Sequence, residues 1–110
     1  MNRVEVTGEL TKDPKIQFTG KGTCIALFSL AENIYNKKEQ KSIPQFHNVV
    51  AFGKTAELIG NTLQKGSQIH IGGNININEY LKDDVKHQYN QIILREFTYC
   101  GSKPKHWLTF

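Results

Sequence analysis

Phe46 and Phe52 stand six residues apart in QFHNVVAF, an alternating segment with two central valines. Strand side chains alternate between faces with a period of two, so both rings share one face, with Asn48 between them. An aromatic yet partly polar sheet face, followed by Lys54, suits the stacking of nucleobases, because every base has a π-face and its backbone carries negative charge. Tyr80 offers a third such ring. It ends the even-numbered face of residues 67–80, after His70, Gly72, Asn74, Asn76 and Asn78. Tyr35 offers a fourth, beside Lys37, Lys38 and Lys41, which Glu39 alone opposes in that stretch.

Catalytic chemistry is poorly supplied. FGKT spells the end of a phosphate-loop motif, but the required first glycine would fall at position 48, which is asparagine. His47 alternates away from the two rings and has no serine or cysteine partner that would make it a base, so it reads as a packed residue. Cys24 and Cys100 stand without a CxxC or a histidine cluster able to hold zinc. They read as reduced thiols of a cytoplasmic protein. The expectation is a protein that is not an enzyme and has neither metal nor cofactor.

The elements that carry these residues follow from periodicity. Residues 3–10 alternate, with Val4, Val6 and Leu10 on one face and Arg3, Glu5, Thr7 and Glu9 on the other. Gly8 interrupts the apolar face and predicts a bulge, or a bend where the strand turns a corner. TKDP at 11–14 is a turn, 16–18 a short strand and TGKG at 19–22 another turn. Residues 23–31 form the longest apolar segment. A helix competes there, but the β-branched start, the preceding glycine turn and the short length favour a central strand buried on both faces. Phe18 and Phe28 read as core.

From Glu32 to Pro44 the sequence predicts a mobile, basic hairpin loop. A helix over 55–64 follows, with Thr55 as its cap, Glu57 near its positive end, and Lys65 with Gly66 as its stop. Ala56, Ile59 and Leu63 give it one buried stripe. Isoleucines at 69, 71, 75 and 77 then give the next strand an apolar core face opposite the one that ends in Tyr80. After a charged tip at 81–86, residues 87–97 return as the last strand.

At 110 residues the chain is one domain, and its formal charge of +4 permits a polyanionic partner. The N-terminus alternates charge with valine, unlike a signal peptide, and no apolar run approaches the ~20 residues a membrane helix needs. A soluble, intracellular protein is expected.

With the short strand at 16–18 set aside, three strands, one helix and two strands is the order of the OB-fold, an all-β, five-stranded, partly open barrel with a helix between strands three and four. The residues go further. NRVEVTGELTKDP, FHNVVAFGKTAE and LQKGSQIHIGG closely resemble the bacterial single-stranded DNA-binding protein family over residues 2–97. That resemblance implies sequence-tolerant binding of single-stranded DNA in replication, recombination or repair, in the cytoplasm near the nucleoid. It implies base stacking at Tyr35, Phe46, Phe52 and Tyr80, phosphate contacts from Lys37, Lys38, Lys41, Lys54 and Lys65, and a homotetramer with His47 at a subunit contact.

The chain also departs from the family pattern. Asn76, Asn78 and Glu79 stand where the family commonly has arginine or lysine, and the hairpin after them lacks the usual glycine. After the domain at 1–98, the segment 99–110 is short and basic, with Lys103 and Lys105 opposed by no acid, and Trp107 and Phe110 have three readings there: a disordered tail, an added stacking site, or docking on a neighbouring subunit. The acidic tip with which the family recruits partner proteins is therefore not expected. Two alternatives remain: a dimeric relative of primosomal replication protein N, and a protein-binding OB module.

Overall fold

The computed structural model describes residues 1–100, and of residues 35 and 36 the backbone alone. Six segments are strands: β1 (Val4–Leu10), β2 (Lys15–Phe18), β3 (Cys24–Asn36), β4 (Lys41–Phe52), β5 (Gln68–Lys82) and β6 (Val85–Tyr99). One helix, α1 (Lys54–Thr62), lies between β4 and β5. The sheet order is β1-β5-β6-β4-β3-β2, and a further pairing of β1 with β3 closes every strand but β2 into a five-membered ring. This is the OB-fold arrangement, with β2 added as a short edge strand on β3.

Two short seams complete the ring. β1 meets β3 through Glu9 with Ala31 and Leu10 with Leu30. β4 runs parallel to β6 through Val49 with Ile92 and Val50 with Ile93. Gly8 marks the corner of β1, pairing with Ile69 of β5 just before the chain reaches β3. A Cβ there would lie 2.7 Å from the Ala31 carbonyl oxygen, so glycine permits the close approach without a bulge. The irregularity in the sheet falls instead between Gly72 and Gly73, opposite β6.

The ring is filled from inside. Leu10, Leu30, Val49, Ile69 and Ile71 meet Ala56 and Ile59 of α1 and its C-cap Leu63 in one buried cluster with Cys24, Phe28 and Leu94. Full burial of each large aliphatic side chain is worth about 1.5–3 kcal/mol. The stripe on α1 is the expected one, but the ends differ. Gly53, at φ 71°, is the N-cap, no side chain caps the helix, and Leu63 closes it. β4 runs to Phe52, which leaves one residue for the turn, and glycine adopts a positive φ that β-branched Thr55 resists.

Four other expectations need correction. β3 is buried on one face only: Cys24, Ala26, Phe28 and Leu30 point inward, while Ile25, Leu27, Ser29 and Ala31 are half-buried because no element among the described residues covers the outer face. Residues 32–44 are not a long loop. β3 and β4 stay paired from Glu32 with Gln45 out to Asn36 with Lys41, a ribbon whose turn is only residues 37–40. Ile75 and Ile77 keep the inward register, but β5 and β6 project past the ring as a second ribbon, so these side chains are 40% and 60% exposed. Phe18, expected in the core, is also exposed because β2 is a four-residue edge strand with no strand beyond it among the described residues.

Candidate nucleic-acid interface

On β4 the even-numbered side chains Phe46, Asn48, Val50 and Phe52 share the outer face. Their partners across β3 are Ala31, Ser29, Leu27 and Ile25. Their neighbours are small or half-buried and no other element of the described residues covers the face, which leaves Phe46 64% and Phe52 50% exposed. Apolar side chains exposed together on one face, unlike single ones, mark a contact surface. Both rings are brought together as the sequence anticipates.

Tyr80 reaches the same face from the β5–β6 ribbon. It stands opposite His87, and the two rings stack with centroids 5.1 Å apart and planes 19° from parallel. Tyr89, two residues along β6 from His87, lies 6.0 Å from Tyr80 at 55°. This ring has no counterpart in the expectations. Its signal was present, since Tyr89 alternates with Gln91 on the polar side of the last strand, but the pairing register that brings it beside Tyr80 is a tertiary fact. Tyr89 and Gln91 in turn line a cleft with Asn48 and Ser29, which links the ribbon to the β4 rings.

The candidate phosphate-binding lysines fall into three groups. Lys12 and Lys15 border that cleft, Lys15 pairing with Leu27 of β3, and neither was singled out from the sequence. Lys54 opens α1 directly after Phe52 and Gly53, and the backbone N–H of Lys65 donates to Asp13 Oδ1 at 2.8 Å on the rim of the same cleft. Lys37, Lys38 and Lys41 lie at the far turn of the β3–β4 ribbon, where Lys41 Nζ is 3.4 Å from Glu39. Tyr35 pairs with Ser42 in this ribbon, and its side chain lies outside the described residues. So do Lys103, Lys105, Trp107 and Phe110.

His47 faces away from the rings, with its Nε2 3.0 Å from Glu32 Oε1. Elsewhere a polar cluster covers the outer side of β1, β5 and β6. Arg3 bonds Glu96, His70 lies 2.8 Å from Thr7 Oγ1 and 3.2 Å from Glu5 Oε1, and Arg3 is 3.7 Å from Glu5. The His70 hydrogen bond first, and then the Arg3 charge, hold the Glu5 carboxyl below its usual pKa. Among the described residues no His, Cys, Asp and Glu side chains gather as a metal site requires, and no helix is long and apolar enough to cross a membrane.

The model of the single-strand binding protein family matches residues 1–99. The chain belongs to that family. The single-stranded DNA-binding proteins of Clostridium perfringens and Clostridium tetani are each 38% identical to it, over 104 and 107 residues. Those matches cover 93% and 94% of this chain and 67% and 74% of the relatives. The single-stranded DNA-binding protein of Bacillus cereus is 36% identical over 97 residues, and there the match spans only 57% of the relative. As a family member, the chain carries phenylalanine and tyrosine on its open sheet face.

Proposed function

We propose that this protein binds single-stranded DNA with little sequence requirement, protecting it during replication, recombination or repair in the cytoplasm. Phe46, Phe52, Tyr80 and Tyr89 stack bases, and Tyr35 extends the row along the β3–β4 ribbon. Lys12, Lys15, Lys54 and Lys65 hold phosphates near the ring, and Lys37, Lys38 and Lys41 do so at the ribbon turn. The observation that carries this reading is the uncovered sheet face with four exposed rings, in a chain whose relatives bear the name single-stranded DNA-binding protein. Each stack contributes about 1–3 kcal/mol. Paired bases hide their faces, so single strands are preferred over duplex.

The protein acts as a homotetramer in this reading, with a dimer as the alternative that light scattering separates. His47, on the face opposite the rings, supports a subunit contact there. The deciding experiment is anisotropy titration of a labelled oligothymidine against a matched duplex at two salt concentrations. Tight binding of the single strand alone is expected. Equal affinity for duplex would refute stacking. Neutral Asn76 and Asn78 on the ribbon also give a shallow salt dependence, since each phosphate contact a cation would have made is worth about 0.7 in the log-log slope.

A further inference from the structure

We propose that His87 is a further DNA-binding residue, which adds a phosphate contact to the aromatic face when its imidazole is protonated. The inference rests on the single-stranded DNA binding proposed above and gives it a pH dependence that stacking alone does not supply. β5 carries the neutral amides of Asn76 and Asn78 on this face before Tyr80, so a charge gained beside that ring changes the electrostatics of the ribbon.

The surroundings of His87 set it apart from the other described histidines. His47 and His70 each hold a ring nitrogen near a glutamate, with Nε2 3.0 Å from Glu32 Oε1 and 3.2 Å from Glu5 Oε1 respectively. His87 instead lies flat on Tyr80, with centroids 5.1 Å apart and planes 19° from parallel, and no group of the described residues hydrogen-bonds to its nitrogens. Stacking holds the ring by its face and leaves both nitrogens at the rim, where both donate once the ring is charged. A cation within about 6 Å of a tyrosine centroid is attracted to the π-face, so Tyr80 favours the imidazolium. The titratable groups around it are few. Tyr80 and Lys82 of β5 and Tyr89 of β6 share its face, Asp83 and Asp84 form the turn, and Glu79 and Lys86 point to the opposite face, where Glu79 Oε1 accepts from Gln88 Nε2 at 3.2 Å. The aspartates favour the charge and Lys82 opposes it. Imidazole is the side chain that changes charge between about pH 5 and 8. A base on the open side of Tyr80 brings its flanking phosphates past the rim of the stacked pair, and the charged ring takes one of them.

The test measures the salt dependence of oligothymidine binding by anisotropy, near each end of that pH window, for the wild-type protein, His87→Phe and His87→Lys. Phenylalanine keeps a ring against Tyr80 without the charge, and lysine carries the charge at both pH values. One phosphate contact on a single strand is worth about 0.7 in the log-log slope. From the alkaline to the acid end the wild-type slope is expected to steepen by up to that amount and the His87→Phe slope much less. His87→Lys should be steep at both ends. The other histidines are common to all three proteins, so their effect cancels in the comparison. Position 87 lies outside the core cluster, and circular dichroism verifies that each variant is folded. If acid steepens the His87→Phe slope as much as the wild-type slope, or if His87→Lys is no steeper than the wild type at the alkaline end, the phosphate contact is overturned and single-stranded DNA binding stands. Failure of the wild-type protein to bind oligothymidine at either pH overturns the functional reading and the contact with it.

Discussion

Replacing Gly73 by alanine should damage this protein far more than the same change at its neighbour Gly72. Both lie in β5 at the irregularity where Arg95 of β6 has no partner across the ladder. A Cβ on Gly73 would overlap the Ile93 carbonyl oxygen, lie 3.0 Å from that carbonyl carbon and press on Ile92 Cγ2 at 3.3 Å. The first two atoms are backbone of the paired strand and cannot step aside without opening the ladder. A Cβ on Gly72 would meet Arg3 Nη2 at 2.5 Å and Glu96 Oε1 at 2.7 Å, the ends of two exposed side chains that can swing away. The loss is then at most an exposed ion pair, about 1 kcal/mol or less. Alanine also stiffens the unfolded chain, which offsets about 0.4–1 kcal/mol at either site.

Overpacking against a fixed neighbour costs about 1–3 kcal/mol. Gly73→Ala is therefore expected to lower Tm by roughly 5–20 °C for a domain of this size. Gly72→Ala should stay within a few degrees of the wild type. Thermal and urea unfolding followed by circular dichroism measures both. Equal losses, or a larger loss at Gly72, would refute the assignment of the obstacle to the β6 backbone.

Phe52→Ala combined with Tyr80→Ala should weaken oligothymidine binding well over tenfold in anisotropy titrations, because two stacks are lost. Unchanged binding would favour a protein-binding OB module. Asp83 and Asp84 form the β5–β6 turn with φ of 53° and 64°, the left-handed pair of a type I′ turn, so Asp84→Gly should stabilise the protein by up to about 1 kcal/mol in urea unfolding. Glu5 is held below its usual pKa in the folded state, so the unfolded state takes up its proton first as pH falls. The stability it contributes is complete above pH 4.5 and is lost as acid approaches the lower folded value. Melting curves should therefore decline less steeply with acid in Glu5→Gln than in the wild type. A parallel decline in the two proteins would count against the His70 and Arg3 contacts.

The local chemistry of the fold was legible where one period dominates. Alternation in β1, the stripe on α1 and the shared face of Phe46 and Phe52 all appear where the sequence puts them. Other features depend on what lies above or beneath a strand, which periodicity does not record. Ile75 and Ile77 have the spacing of core residues, but β5 has already left the ring when they occur. Phe18 has the composition of core on a strand too short and too peripheral to be covered. Tyr89, Lys12 and Lys15 join the site through registers between strands distant in sequence, and no local pattern carries those. Thr55 had the right chemistry for a cap, yet Gly53 took the position because the turn after β4 needs a positive φ.

The long-range pairings also bear on how the ring assembles in time. The β3–β4 and β5–β6 ribbons join neighbouring segments and close small loops. The seam of Val49 with Ile92 and the pairing of Val4 with Gly73 each span a large part of the chain, and that closure entropy is lost before either contact is made. Ring closure should therefore follow the rate-limiting step. Ile92→Val should speed unfolding more than it slows refolding in stopped-flow measurements, and the reverse would mark the seam as part of the nucleus. During synthesis, β1 leaves the ribosome before β5, in which it finds its principal partner. β1 thus stays unpaired on that side until much of the domain has been made.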